Sequence, residues 1–282
     1  MALSVNTNIS SLIAQRNVSQ ANDEYSSSVR RLSSGLRISR ASDDAAGLAV
    51  SEKLKSHSRS IYQAVRNANE GVNLMQVADG ALKETGNVLQ RMRELSEQAS
   101  NGSLGTNERN ALNSEFQQLM SEIDRISDVT EYNGQKLIDG SISASANALS
   151  FQIGFQNVTA NDRISLTISN ADASALTIHG GTFSAINSVS AAQSMLTQVD
   201  SAIALVATWR GDIGAKQSRI SIAISNLTST AENYDAAVGS ITDADFASET
   251  AKFTRNQIIT QAATSVLAQA NVLPQQVLTL LK

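Results

Sequence analysis

The chain of 282 residues carries one proline, no cysteine, 4% aromatic residues and a formal net charge of −4. The missing cysteines exclude disulfides, thiolate metal sites and thiol catalysis, and the absence of a basic field argues against a nucleic-acid partner. A composition led by Ala, Ser, Asn, Gln and Leu suits long helices with narrow seams better than a thick globular core.

Residues 1–15 contain no charged side chain. They also lack a basic stretch followed by an apolar one, so export by a Sec-type signal is not expected. Next in order comes Asp43-Asp44, a pair that could suggest acid–base or metal chemistry. Its setting reads better as a helix start, with Ser42 as N-cap and the Asp43 and Asp44 carboxylates in the first turn at the positive end of the helix dipole.

From Gly47 to Ala99 the apolar residues repeat every seven. One row is Leu54, Ile61, Ala68, Met75, Leu82 and Leu89. Its companion is Val50, His57, Ala64, Gly71, Ala78, Thr85, Met92 and Ala99. This narrow stripe of period 3.5 predicts a coiled-coil seam on a helix of about 50 residues, roughly 80 Å long. His57 falls on that stripe and reads as a structural histidine. Arg91 and Leu95 share a face beside the seam, and periodicity alone makes them a solvated flank. Asn101–Thr106 reads as a turn that folds a shorter helix back, marked by Leu112, Phe116, Leu119, Ile123 and Ile126.

Between residues 132 and 184 the pattern changes. Asn133-Gly134 signals a turn, and Phe151, Ile153 and Phe155 alternate with polar residues, as do Arg163–Ile168. A β-hairpin or small sheet is expected there, joined by exposed connections. His179 precedes Gly180-Gly181 and reads as part of a turn. A second heptad array follows, with Leu196, Ile203, Ile224, Ala231 and Val238 in one row. Arg210 and Gln217 interrupt that row, and Val199, Val206, Ile213, Ile220, Leu227 and Tyr234 fill its partner. The plain reading of all these stripes is an intramolecular bundle.

The last stretch, Asn256–Leu281, again has no charge. Its glutamines and asparagines rule out an ordinary bilayer span. A solvated helix normally shows charges on its wet face, so the expected fate of both ends is burial among copies of the same chain. A membrane-active amphipathic helix is the competing reading, weakened by the missing Lys and Arg. The expected contacts are Ile9 and Leu12 at one end, and Val266, Leu267, Leu273, Val277 and Leu280 at the other. No HExxH, phosphate loop or GxSxG elbow is present, so neither catalysis nor a cofactor is expected.

Several long motifs occur in order at both ends: MALSVNTNISSL, RRLSSGLRISRASDDAAGLAVSEKL, VRNANEGVNLMQVADGAL and VLQRMRELSEQASNG, then DIGAKQSRISIAISNL and ITDADFASETAKFTRNQIITQAATSVLAQANVLPQQVLTLL. They resemble the two conserved terminal regions of bacterial flagellins. The resemblance covers about residues 1–140 and 190–282. It implies a mainly α fold, a long antiparallel coiled-coil bundle of N- and C-terminal segments with a small β-hairpin region in the middle. Residues 1–42 and 239–282 would be inner-core helices, 43–131 and 185–238 an outer-core bundle, and 132–184 the hairpin region with a short variable insert. It also implies a filament subunit for swimming motility, exported by the flagellar type III route without a cleaved signal. The partners implied are a homopolymer, hook-junction and cap proteins, and a flagellin export chaperone. The arginine–leucine motif, Arg91 and Leu95, with Glu115 on the returning helix, would contribute to Toll-like receptor 5 recognition or to contacts between subunits. A hook–filament junction protein and a secreted membrane translocator are the alternatives.

Overall fold

The computed structural model describes residues 8–143, 147–178 and 185–280; His179 and the glycines after it lie outside them. In chain order the elements are α1 (Ile9–Ser34), α2 (Ala45–Ala99), α3 (Thr106–Val129), β1 (Glu131–Tyr132), β2 (Gln135–Lys136), β3 (Leu149–Gln152), α4 (Thr159–Asp162), β4 (Arg163–Leu166), α5 (Val189–Thr242) and α6 (Phe246–Leu280). Among the described residues the fold is mainly helical, as expected, and the expected hairpin region holds two small antiparallel strand pairs. The chain divides into two compact units: a terminal one, Met1–Ser58 with Glu232–Lys282, and a central one, Arg59–Ala231.

In the central unit α2 and α5 run antiparallel. Arg93 of α2 bonds Asp200 at 2.6 Å, and Asp79, earlier on α2, bonds Arg210, later on α5, at 2.7 Å. The two predicted rows of α2 are buried there from Ile61 to Ala99, and Val199, Val206, Ile213 and Ile220 of α5 enter the same core. A third row joins them on α2: Leu74 and Leu95 are buried, with Ala81 and Val88 half-buried. Three rows are needed because α3 folds back on α2, and Phe116, Met120 and Ile123 of α3 share the core with α5. Leu95 is therefore 1% exposed and lies within the packing, which corrects its expected place on a solvated flank.

The segment after α3 meets expectation in its turn and strand pairing and departs from it in its connections. Asn133 and Gly134, with φ of 52° and 76°, form the tight turn between β1 and β2. This backbone suits exactly two residues able to take positive φ, which Asn and Gly do most readily. β3 pairs with β4, matching Phe151 to Ile164. Yet the connections are not merely exposed. Leu137, Ile138, Ala171, Leu176 and Ile178 are fully buried in the central core. Backbone and side chains hold them there: Ala171 N–H donates to Ile138 O (2.8 Å), Ser127 Oγ to Ile138 O (2.9 Å) and Ala173 N–H to Asp124 Oδ1 (2.8 Å). Scattered among Ser and Asn with no period, these apolar residues give no signal a stripe count could detect.

In the terminal unit, α1 and α6 pair antiparallel. At one end Ser11 Oγ donates to Asn271 Oδ1 (2.6 Å). Near the other, Asn256 Nδ2 donates to Ser28 Oγ (3.2 Å) and the Tyr25 and Phe253 rings stack with centroids 5.2 Å apart. Gly35 ends α1 in the left-handed conformation, φ 70°, and its N–H donates to Arg31 O. Beyond it the chain pairs with the break between α5 and α6. Arg37 N–H donates to Thr242 O (2.7 Å) and Ala244 N–H to Gly35 O (2.9 Å). Here the buried face of α2 is formed by Ser51 and Ser58, and Val50, expected on the seam, is 51% exposed. Ser58 Oγ instead donates to Asp235 Oδ1 (2.7 Å), and the half-buried His57 ring lies tilted over Tyr234 at 6.3 Å.

Candidate self-assembly surface

A helix places residues seven apart nearly on one line. On α1 the line Ala14, Ala21 and Ser28 is buried. On α6 the line Glu249, Asn256, Ala263 and Ala270 meets it, buried at both ends and half-buried between. The seam is thus built mostly of small or polar side chains. Asn8 strengthens its far end, accepting Ser11 N–H as the N-cap of α1 while its Nδ2 donates to Ala270 O (2.9 Å). Glu249 is the one carboxylate on the line, 5% exposed, one turn into α6 and 3.4 Å from Lys252. The positive end of the α6 dipole favours its charge there.

Apart from the stacked Tyr25 and Phe253, most large apolar side chains of the same helices point elsewhere. Ile9, Leu12 and Ile13 of α1 and Ile258, Ile259, Val266 and Val272 of α6 are exposed, Leu12 by 57% and Ile258 by 61%. An open groove runs beside the seam, bordered by Ala14, Asn17 and Ala21 on one side and Ile259, Ala263 and Val266 on the other. Of the expected contact residues, Ile9, Leu12 and Val266 stand on this exposed surface and Leu267 is half-buried. For Leu273, Val277 and Leu280 only the helical backbone lies within the description. Large apolar side chains left exposed on paired helices in this way mark a binding face, and Gln20 and Glu24 add polar groups along the groove.

The cap before α2 needs correction. The bond is made by Asp44, whose Oδ1 accepts Gly47 N–H (2.8 Å), rather than by Ser42. Helix α2 begins at Ala45, so Asp44 is the residue placed to reach the third free N–H. Asp43 works on the preceding loop: its Oδ2 accepts Ser39 N–H (3.1 Å), Arg40 N–H (3.0 Å) and Ser39 Oγ (3.2 Å). The Ser39 backbone bond leads the effects that hold the Asp43 carboxyl below its usual range. Gly47 leaves room for this arrangement; a Cβ would stand 2.4 Å from Asp44 Oδ2 and 2.9 Å from Ile38 Cδ1.

On the central unit, Arg91 and Glu115 are brought together. Arg91 Nη2 lies 2.8 Å from Glu115 Oε1, and its Nη1 lies 2.9 Å from Glu94. Both partners are about half exposed, whereas Leu95 is buried in the core. Among the described residues no group of three His, Asp or Glu side chains is placed to hold a metal ion, and no helix is long and apolar enough to cross a membrane.

Comparison with known proteins accords with this geometry. Residues 5–143 match the bacterial flagellin N-terminal helical region and residues 196–281 the bacterial flagellin C-terminal helical region. The chain is 41% identical to a flagellin of Halalkalibacterium halodurans, with 99% of each chain covered. It is 39% identical to a flagellin of Bacillus subtilis, again over 99% of each. A solved hook-associated protein of Vibrio parahaemolyticus, described as putative, shares the fold with a TM-score of 0.59 at 16% identity, covering 71% of this chain and 100% of that one. Two terminal helical regions in order and full-length identity near two-fifths lead to one conclusion: the chain belongs to the bacterial flagellin family.

Proposed function

We propose that the exposed apolar faces of α1 and α6 are the surfaces by which copies of this chain pack, building the extracellular flagellar filament used for swimming. The observation that carries this reading is the division of each terminal helix into a small-residue seam and a large apolar outer face. These exposed apolar side chains gain about 25 cal/mol for each Å² removed from water, while ordering each residue costs about 1–2 kcal/mol in backbone entropy. The narrow α1–α6 seam offsets little of that cost. Burial among neighbours supplies the rest, so the terminal helices order fully on assembly.

The inner-core role belongs to residues 1–42 and 239–282, and the outer-core role to the bundle of α2, α3 and α5. The short middle segment implies a thin, smooth filament. Hook-junction and cap proteins meet the same terminal helices at the two ends of the polymer, and an export chaperone shields the C-terminal segment before secretion. Arg91 and Glu115 form a contact patch for a neighbouring copy or for Toll-like receptor 5, and Leu95 acts from below by fixing the helix that carries Arg91. The role is structural rather than enzymatic.

The test is seeded polymerisation of purified protein, followed by sedimentation and electron microscopy. Long filaments are expected from the full chain. None are expected after deletion of Val266–Lys282, which leaves the central unit folded by circular dichroism. Normal filaments from the truncated chain would sink the proposal.

A further inference from the structure

Packing many copies of the same sparsely charged helices together raises a problem of partner choice. Coiled coils commonly select partners and register through flanking charges or through a polar residue within the seam. Between Asn256 and Leu281 α6 offers no charge, so Arg16, Asp23 and Glu24 of α1 find no charged counterpart on that stretch. Ala14, Ala21, Ala263 and Ala270 are interchangeable knobs, so these four positions discriminate poorly between one heptad register and the next. They discriminate equally poorly between the α6 of the same chain and that of a neighbour.

The directional bonds between side chains in the seam are polar; a further bond, from Asn8 Nδ2, ends on the Ala270 backbone carbonyl, an acceptor that every register offers. Ser11 Oγ donates to Asn271 Oδ1 at 2.6 Å, and Asn256 Nδ2 donates to Ser28 Oγ at 3.2 Å. Shifting α6 by one heptad would face Asn256 with Ala21 or Gly35 and take Asn271 away from Ser11. The backbone bonds between Gly35–Arg37 and Thr242–Ala244 tie one end of the pair. Ser11 and Asn271 stand at the other end, where that tie has least hold.

We propose that the Ser11–Asn271 and Ser28–Asn256 hydrogen bonds specify which terminal helices pair, joining α1 to the α6 of its own chain in fixed register while many other copies pack around them. The proposal rests on the assembly reading above and adds the residues that make assembly selective. Leucine in place of the asparagines would enlarge the apolar seam yet remove the distinction between own and neighbouring partner.

The cysteine-free chain makes the test clean. Ala21 and Ala263 border the same groove, so the Ala21→Cys/Ala263→Cys chain is polymerised and then oxidised. Disulfides within and between chains are separated on a non-reducing gel. With both asparagines present, closure within one chain is expected. With Asn256→Leu and Asn271→Leu added, the ratio of interchain to intrachain product is expected to rise about tenfold, the equivalent of two neutral hydrogen bonds. An unchanged ratio overturns the proposal. If the leucine chain does not polymerise, Asn256→Ala with Asn271→Ala decides, because it removes both bonds without adding bulk to the seam. A raised interchain ratio in that chain supports the proposal, and an unchanged one overturns it. Absence of filaments from the cysteine-free parent overturns the assembly reading, and this one with it.

Discussion

Arg210 on α5 and Asp79 on α2 meet through two bonds, Nε to Oδ1 at 2.7 Å and Nη2 to Oδ2 at 3.4 Å. Arg210 interrupts an otherwise apolar heptad row, and this pair explains the interruption: the guanidinium reaches across to a carboxylate on the facing helix. Both side chains remain more than a third exposed, so solvent screens the pair. Asp79→Ala is therefore expected to lower the unfolding free energy by only about 0.5–1 kcal/mol. The single tryptophan, Trp209, is the neighbour of Arg210 and reports the transition by fluorescence. The difference between parent and variant should shrink in about 1 M salt.

Gly47 and Asp44 form the cap of α2 as a unit. Gly47→Ala forces a Cβ against the capping carboxylate and Ile38, and should cost about 1–2 kcal/mol despite the better helix propensity of alanine. Asp44→Ala should cost about 1 kcal/mol on its own. Combining the two should cost little more than Gly47→Ala alone, since both remove the same bond. Chemical denaturation followed by circular dichroism checks the set.

Asp43 sets an acid limit on the loop between α1 and α2. Its carboxyl is held below the usual range first by the Ser39 N–H, so the folded state favours the ionised form. The sign follows directly: the contribution is fully present above the unfolded-state value of about 4 and is lost as pH falls through the lower folded-state value. Asp43→Asn should flatten that part of the stability–pH profile and leave the neutral-pH shape nearly unchanged. A profile as steep as the parent's would contradict the assignment.

Leu95 and Arg91 should behave in opposite ways. Leu95→Ala empties a fully packed position and is expected to destabilise the central unit by about 2–5 kcal/mol. Arg91→Ala removes an exposed ion pair and should leave the melting temperature almost where it was. An effect of Leu95→Ala on any partner must therefore be compared at temperatures where the variant is still folded. Thermal melts monitored at Trp209 provide that comparison.

Thr177 has φ of 61°, a conformation that is strained for a β-branched residue. It ends a short turn in which Ile178 N–H donates to Ala173 O and Thr177 N–H to Ser174 O, the bonding of a Schellman cap that favours glycine. Thr177→Gly should stabilise the central unit by about 1 kcal/mol, the relief of strain exceeding the added entropy of the unfolded chain. A loss of stability would show that the threonine side chain is needed where it stands.

Sequence pattern revealed the long rows because their period survives over many turns. Ile61 to Ala99 and Val199 to Ile220 are buried where the rows place them. The third row through Leu74 and Leu95 escaped because α2 has two helical neighbours in the central unit, and a two-row stripe presumes one. Val50 misled for a different reason: in the terminal unit the inward positions are Ser51 and Ser58, whose hydroxyls bond a backbone carbonyl and Asp235. Small polar residues at seven-residue spacing also hid the α1–α6 seam. Ala14, Ala21 and Ser28 facing Asn256, Ala263 and Ala270 form a heptad pattern that a hydrophobicity count passes over. The cap slipped by two residues because Ser42, Asp43 and Asp44 are all good N-caps, and only the position of Gly47 tells them apart.

The seven-residue repeat from Ile61 to Ala99 has a mechanical consequence. An α-helix drifts about 20° per heptad from such a repeat. Keeping those rows on their partner obliges α2 to wind about it with a left hand. A left-handed winding responds differently to the two senses of rotation: torque of one sense tightens the central seam, and torque of the other loosens it. Chirality set by side-chain spacing thus gives this part of the chain unequal stiffness under opposite twists.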